Sequence, residues 1–292
     1  MQRYTPFTLL LWSLTATAMS SLKRDNSHCS VQPSSDDTAD AFLANTILSD
    51  AATGAIAPEG YVSEFINLQA AVSATSLPYL TFTTLSSYDV ASCAKFCHST
   101  TGCKSFNIYF ERDPRMAPTT TCSNPSSRAI IKCALFAKPS TKSSATNTGQ
   151  YQLDFHLVIA GSNAYNALPP VPGYSAPLYL NTRTIHAPLD CKGHNTYMGH
   201  QVFENHGAFD PNLCAQACAD KTAYNLAHPD ASGHSQMCRF FNTYVVPYGG
   251  KQAAQWCALY NVSWTAEQAS VAQGVSSSYA YAQSSGGPAT CM

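Results

Sequence analysis

Apolar residues along the chain fall into short, aromatic-rich runs bounded by turn residues, the pattern of strands. The clearest are Phe106-Asn107-Ile108-Tyr109, Cys133-Ala134-Leu135-Phe136, Phe155 to Ile159, Phe241-Asn242-Thr243-Tyr244 and Cys257-Ala258-Leu259-Tyr260. Two aspartates announce short helices. Asp89 and Asp210 each stand where a carboxylate accepts a free backbone N–H of a first turn, and Pro211 suits the first helical position. Cysteines four apart on a helix share one side, so Cys93 with Cys97, and Cys214 with Cys218, point at whatever their helix packs on. They are expected to staple outward to different strands, clamping each helix to a sheet. A further helical stretch is expected from Ala39 to Ser49. Pro169, Pro170, Pro172, Pro177 and Pro188 mark an extended interdomain linker. Ser140 to Gly149 and Ala219 to Gln236 read as polar loops.

Internal repetition is the strongest signal in the sequence. An aromatic residue, Asp, three further residues and Cys-Ala-x-x-Cys run from Tyr88 to Cys97 and again from Phe209 to Cys218. Cys103-Lys104-Ser105-Phe106-Asn107-Ile108-Tyr109 is echoed by Cys238-Arg239-Phe240-Phe241-Asn242-Thr243-Tyr244, with base, Phe, Asn and Tyr at the same offsets. Cys133-Ala134-Leu135-Phe136 is echoed by Cys257-Ala258-Leu259-Tyr260. The three motifs keep their order, so they predict two tandem units, in line with about two domains for 292 residues.

Only 11% of residues are charged and the net charge is −1, which disfavours a basic nucleic-acid-binding face. Arg3, the apolar run Phe7 to Leu14 and the small residues Ala16-Thr17-Ala18 predict a secretory signal peptide. Lys23-Arg24 looks like a fungal-type processing pair, so residues 1–24 are expected to be removed. No later run approaches the roughly 20 apolar residues of a membrane helix, and the polar tail from Ser276 carries no lipid-anchor signal. All 12 cysteines follow the expected cleavage, and their even number predicts disulfides formed in an oxidising, extracellular setting. Zinc would call for convergent Cys-x-x-Cys arms, which the sequence lacks, and no metal or other cofactor is expected.

Candidate chemistry is sparse. Gly-x-Ser-x-Gly, His-Glu-x-x-His and phosphate-loop patterns are absent. His194, His200 and His206 recur every six residues, a spacing that a strand but not a helix would bring to one face; they are read as exposed or hydrogen-bonded histidines rather than ligands. Asp154, His156 and Ser162 suggest a triad, but Phe155 to Ile159 reads more simply as a core strand. Alternation puts Asn107 and Asn242 on the side of the stapled helix, as amides satisfying backbone groups. The 16 tyrosines and 13 phenylalanines are read mainly as core, with stacking of sugars on exposed rings as the alternative. Asn261-Val262-Ser263 is an unblocked glycosylation sequon, so Asn261 is expected on a surface turn of a glycoprotein.

The helix with Cys-x3-Cys, the following Cys-x-x-Phe-Asn strand and the Cys-Ala-Leu-aromatic strand resemble the PAN/apple domain family, in two copies. The first copy, from Ser87-Tyr88-Asp89 through Phe110-Glu111-Arg112-Asp113-Pro114 to Phe155 to Asn163, looks like secreted fungal apple-domain proteins. The resemblance implies an α+β fold of two tandem modules, each one helix on a curved antiparallel sheet. The expected layout is an N-terminal extension at 25–64, module 1 at 65–168, a Pro-rich linker at 169–187 and module 2 at 188–292. It also implies the pairs Cys93–Cys133, Cys97–Cys103, Cys214–Cys257 and Cys218–Cys238, with Cys191–Cys291 closing the second copy and Cys29–Cys122 as the remaining pair. Functionally it implies a secreted, non-catalytic recognition or adhesion protein whose partner is an extracellular protein or a cell-wall polysaccharide. The alternatives are a dedicated carbohydrate-binding protein, a passive structural wall or matrix protein and, more weakly, a secreted hydrolase or oxidase.

Overall fold

The computed structural model describes residues 36–204, 209–246, 254–275 and 277–285. The expected signal and processing segment, Cys29, His206 and Cys291 lie outside them. Helices α1 (Ala39–Leu43) and α2 (Thr46–Thr53) occupy the stretch expected to be one helix. The break has a local cause: the Asn45 side chain accepts the Ile47 N–H and so caps a new helix instead of continuing the old one. Strands β1 (Tyr61–Leu68) and β2 (Tyr79–Leu85) follow, then α3 (Val90–Ser99), β3 (Ser105–Pro114), β4 (Ser127–Phe136), β5 (Gly149–Gln152) and β6 (Phe155–Ala167). Next come β7 (Leu178–Asn181), β8 (Arg183–Ile185), β9 (Tyr197–Phe203), α4 (Pro211–Ala227), β10 (Phe240–Val246), β11 (Ala254–Tyr260), β12 (Ala269–Val271) and β13 (Ser278–Ala282). The fold is α+β, and every strand pairing among the described residues is antiparallel.

The first sheet has the order β1-β6-β3-β4-β2, with β5 added on β6, and the second has the order β7-β13-β10-β11-β9. The two orders are the same when each strand is matched to its place in the chain: two strands, a helix, then three more. Even the register agrees. Asn107 lies opposite Ala134 and Ala164, and Asn242 opposite Ala258 and Ala280.

Several expected boundaries differ. Tyr61–Leu68 is a full strand of the first sheet, so the segment before residue 65 is not a bare extension; α1 and α2 also lie on β6. The stretch 169–187 holds β7 and β8, because Leu178, Tyr179 and Asn181 pair with β13 and the prolines stop before them. Half of the stretch expected as a polar loop from Ala219 to Gln236 is helix instead. Ala, Lys and Leu carry α4 through Ala227, Gln216 donates to Asp220 one turn on at 2.8 Å, and Pro229 ends the helix.

Each helix covers one face of its sheet. Val90, Cys93, Ala94 and Cys97 pack on Phe106, Ile108, Leu135 and Tyr165. Phe209, Cys214 and Cys218 pack on Phe241, Leu259, Tyr279 and Tyr281. Burial of each such large side chain contributes about 1.5–3 kcal/mol. In β6, Gly161 has φ +56, and a Cβ there would meet Leu48 O at 2.8 Å and the Phe110 ring at 2.9 Å, so this crossing of α2 over the strand requires glycine.

Candidate functional site

Sulfur fixes the helical side of each sheet. Cys93 is bonded to Cys133 and Cys97 to Cys103; Cys214 is bonded to Cys257 and Cys218 to Cys238. These are the four pairs the family resemblance implied. Cys122 and Cys191 are also disulfide-bonded; Cys29 and Cys291, expected as their partners, lie outside the described residues. The two caps are formed by Asp89, which accepts the Ser92 N–H at 3.0 Å, and Asp210, which accepts the Asn212 N–H at 2.9 Å. The Ser92 hydroxyl and amide together hold the Asp89 carboxyl below the usual carboxylate range.

The opposite face of each sheet is pinned by an asparagine. Asn107 Nδ2 donates to Ser162 Oγ at 2.9 Å and to Asn163 O at 2.8 Å, while its Oδ1 accepts the Val72 N–H at 2.8 Å. Asn242 repeats this with Ser278 Oγ at 2.9 Å, Tyr279 O at 3.0 Å and the Ile185 N–H at 2.9 Å. Both amides therefore serve structure, but on the side away from the helix, correcting the expected face. Cys103 lies in the turn before β3, so alternation counted from it has no strand to run along.

Around the asparagines the away face is aromatic, and it too is repeated. In β2, Tyr79 lies opposite Phe136 and Phe82 opposite Ala134; in β9, Tyr197 lies opposite Tyr260 and His200 opposite Ala258. A register shift at the same place in both strands adds one residue, which brings side chains three apart onto one face. Tyr79 and Phe82 are exposed, as are Tyr197 and His200. The copies then diverge. The first has Lys132, which donates to Glu111 and stands over the Phe82 ring at 5.4 Å. Burial raises the Glu111 carboxyl above its ordinary value, and Lys132 opposes that rise. The second has Trp256 in the place of Lys132, stacked on His200 at 4.6 Å and lying parallel to Tyr244 at 6.4 Å. Tyr197 OH and His200 Nδ1 are hydrogen-bonded at 2.9 Å, and the Tyr197 and Tyr260 rings meet at 5.6 Å.

In the second copy these rings surround a shallow cleft of about 400 Å³ over Ala258, lined by Tyr197, Tyr244, Trp256 and Tyr260. Its other wall is the segment Thr184 to Ala187. That wall is held by Asn242, through the Ile185 N–H, and by Tyr260, whose hydroxyl donates to Ile185 O at 3.1 Å. No Asp, Glu, Lys or Arg lines the cleft. Burial, with neighbouring Tyr197, pushes the Tyr244 phenol up to about 12, and burial also raises Tyr197 and Tyr260. All three phenols are neutral at physiological pH.

The other candidate residues do not converge. Ser162 is fully buried under Asn107, while the His156 ring stacks on Tyr151 at 4.2 Å, so the suggested triad has no accessible nucleophile. His194 is exposed and folded back on Asp190 in a turn, apart from His200 on β9. Among the described residues no three His, Cys, Asp or Glu side chains are placed to hold a metal. Asn261 follows β11 in a bend, half-buried, its N–H donating to Thr196 O at 3.1 Å.

Sequence reasoning missed the exposed rings of β2 and β9, although Tyr-x-x-aromatic and Tyr-x-x-His at matching positions carried a trace of them. It also missed a repeated turn. Asp190 accepts the Lys192 and His194 N–H groups, and Asp230 those of Ser232 and His234, around Gly193 and Gly233; Asp-x-x-Gly-His at both places was the signal. No protein-family model, curated protein or solved structure matches the chain.

Proposed function

We propose that this is a secreted, non-catalytic recognition protein built from two apple-like modules, binding an extracellular protein or a cell-wall glycan. The observation that carries the reading is the division of labour between the faces of each sheet. One face holds a helix by two disulfides, and the other leaves repeated aromatic side chains partly open to solvent. Rigid backbone bearing neutral rings is a binding surface that requires little ordering when a partner arrives. The disulfides support an oxidising, extracellular setting, and no described helix is long and apolar enough to cross a membrane.

The test is retention of the purified full chain on insoluble wall polysaccharides and on an array of secreted proteins. Saturable binding to either supports the reading. Absence of saturable binding to both, with the protein folded and oxidised, would leave the passive structural alternative in its place.

A further inference from the structure

The geometry points to the cleft over Ala258 as a site for a neutral oligosaccharide chain, with Tyr197, Tyr244, Trp256 and Tyr260 as its binding residues. This inference rests on the recognition reading and narrows it to one surface and one ligand class.

Three observations select the ligand. First, the lining is largely aromatic and holds no Asp, Glu, Lys or Arg, which suits a ligand without charge; an anionic or cationic partner would find no carboxylate, ammonium or guanidinium there. Pyranose rings offer what this lining takes: C–H faces that pack on aromatic carbon, and a rim of hydroxyls. Second, polar groups stand at the edges of the rings. The phenol of Tyr197, already tied to His200 Nδ1 at 2.9 Å, and that of Tyr244 can exchange hydrogen bonds with hydroxyls, as can Thr184 and His186 in the opposite wall, while Tyr260, whose proton goes to Ile185 O, can only accept. Third, the cleft depends on a small residue between large ones. Ala258 lies two positions from Trp256 and two from Tyr260 on the same strand face, so its missing bulk leaves a depression between their rings.

The first sheet supplies an internal comparison. Ala134 is the counterpart of Ala258, but Lys132 and Glu111 form an ion pair where the second copy has Trp256 and Val246. Phe136 there also lacks the hydroxyl by which Tyr260 holds the Ile185 wall. The same scaffold therefore carries one face closed by a charge pair and one opened toward a neutral ligand.

The experiment uses the full secreted chain and defined neutral hexaoses, namely β-1,4-glucan, β-1,3-glucan, β-1,4-xylan, chitin-type and α-mannan, with an oligogalacturonate as the anionic contrast. Binding is read by calorimetry and by tryptophan emission. The expected result is saturable binding of at least one neutral hexaose with a change in emission. Its affinity should fall by about tenfold or more, or about 1.4 kcal/mol, in Trp256→Ala and Tyr197→Ala. It should largely persist in Trp256→Phe and be unchanged in Phe82→Ala on the first sheet. Unfolding midpoints establish that the variants are folded; if Trp256→Ala is not secreted in folded form, the exposed Tyr197→Ala decides.

Binding of none of the neutral hexaoses overturns the inference, as does binding of the oligogalacturonate alone or equal affinity in wild type and Tyr197→Ala. In each of these cases, retention on wall material or capture of a secreted protein would still uphold the broader recognition reading.

Discussion

Glu64, half-buried on β1, shows how a single carboxyl sets a pH dependence. It accepts from Lys142 N and from Asn166 Nδ2, each at 3.3 Å. Burial outweighs the backbone bond and pushes it up to about 7 from an ordinary 4.5. The folded state thus favours the protonated form more than the unfolded chain does. Its contribution to stability is fully present below about 4.5 and is lost as pH rises through about 7. Glu64→Gln should therefore flatten this part of the profile and stabilise the protein at pH 8, as read by urea midpoints across pH. Asp37 has the opposite sign. Burial raises its carboxyl, but hydrogen bonds from Ser127 and Arg112 lower it further, so its contribution is lost as pH falls. The buried asparagines make a second prediction at this scale. Asn242→Ala leaves the Ile185 N–H without its acceptor and should cost about 1–3 kcal/mol, measured by denaturant unfolding; it should also weaken any binding at the cleft by freeing its wall. The twinning of Asn107 and Asn242 was legible in the sequence because both sit in matching motifs. Their orientation was not, because the strand begins two residues after the cysteine that marks it.

The two helices and the strands they are stapled to were readable because their determinants are local: a capping aspartate, cysteines one turn apart and aromatic runs between turns. The edge strands β1, β2, β7 and β9 were not. They are half-exposed, carry no cysteine, and are fixed by pairing with strands distant in sequence, which only tertiary structure supplies. The aromatic face was hidden for the same reason, since half of its rings stand on those edges. The staples themselves differ in what they constrain. Cys93–Cys133 closes a span of 40 residues and Cys97–Cys103 a span of 6. By loop-closure entropy the longer bridge contributes about 4 kcal/mol and the shorter about 2 kcal/mol. A Cys93→Ser, Cys133→Ser double variant should thus lose more stability than Cys97→Ser, Cys103→Ser, with denaturation midpoints as the measurement. Equal losses would mean that packing around the sulfurs, rather than chain constraint, sets their effect.

At the scale of the whole molecule, β1 serves two cores. Tyr61 packs with Phe106 under α3, while its neighbour Val62, 1% exposed, belongs to the cluster of Phe241 and Tyr279 in the second sheet. Tyr279 OH donates to Tyr61 O at 2.6 Å, and Tyr179 OH to Ala57 O at 2.5 Å. The proline-rich stretch joins the same contact: Val171 is buried in the second cluster, and the Tyr174 ring meets Phe241 at 5.0 Å. Proline content suggested an extended spacer because it reports backbone stiffness and is silent on the apolar residues set between the prolines. These contacts make the two sheets energetically dependent, and the dependence can be measured through a residue remote from it in sequence. Val62→Ala removes two methyl-sized groups from the shared core and should destabilise by on the order of 1–3 kcal/mol. Trp256 and Trp264 both pack on the second sheet, far along the chain from Val62, and their emission reports the unfolding of that sheet. Coupled halves require that emission midpoint to fall together with the backbone signal of the whole protein, in one transition. An emission midpoint left in place while the rest shifts would show that the second sheet stands without the first, and that β1 only rests against it.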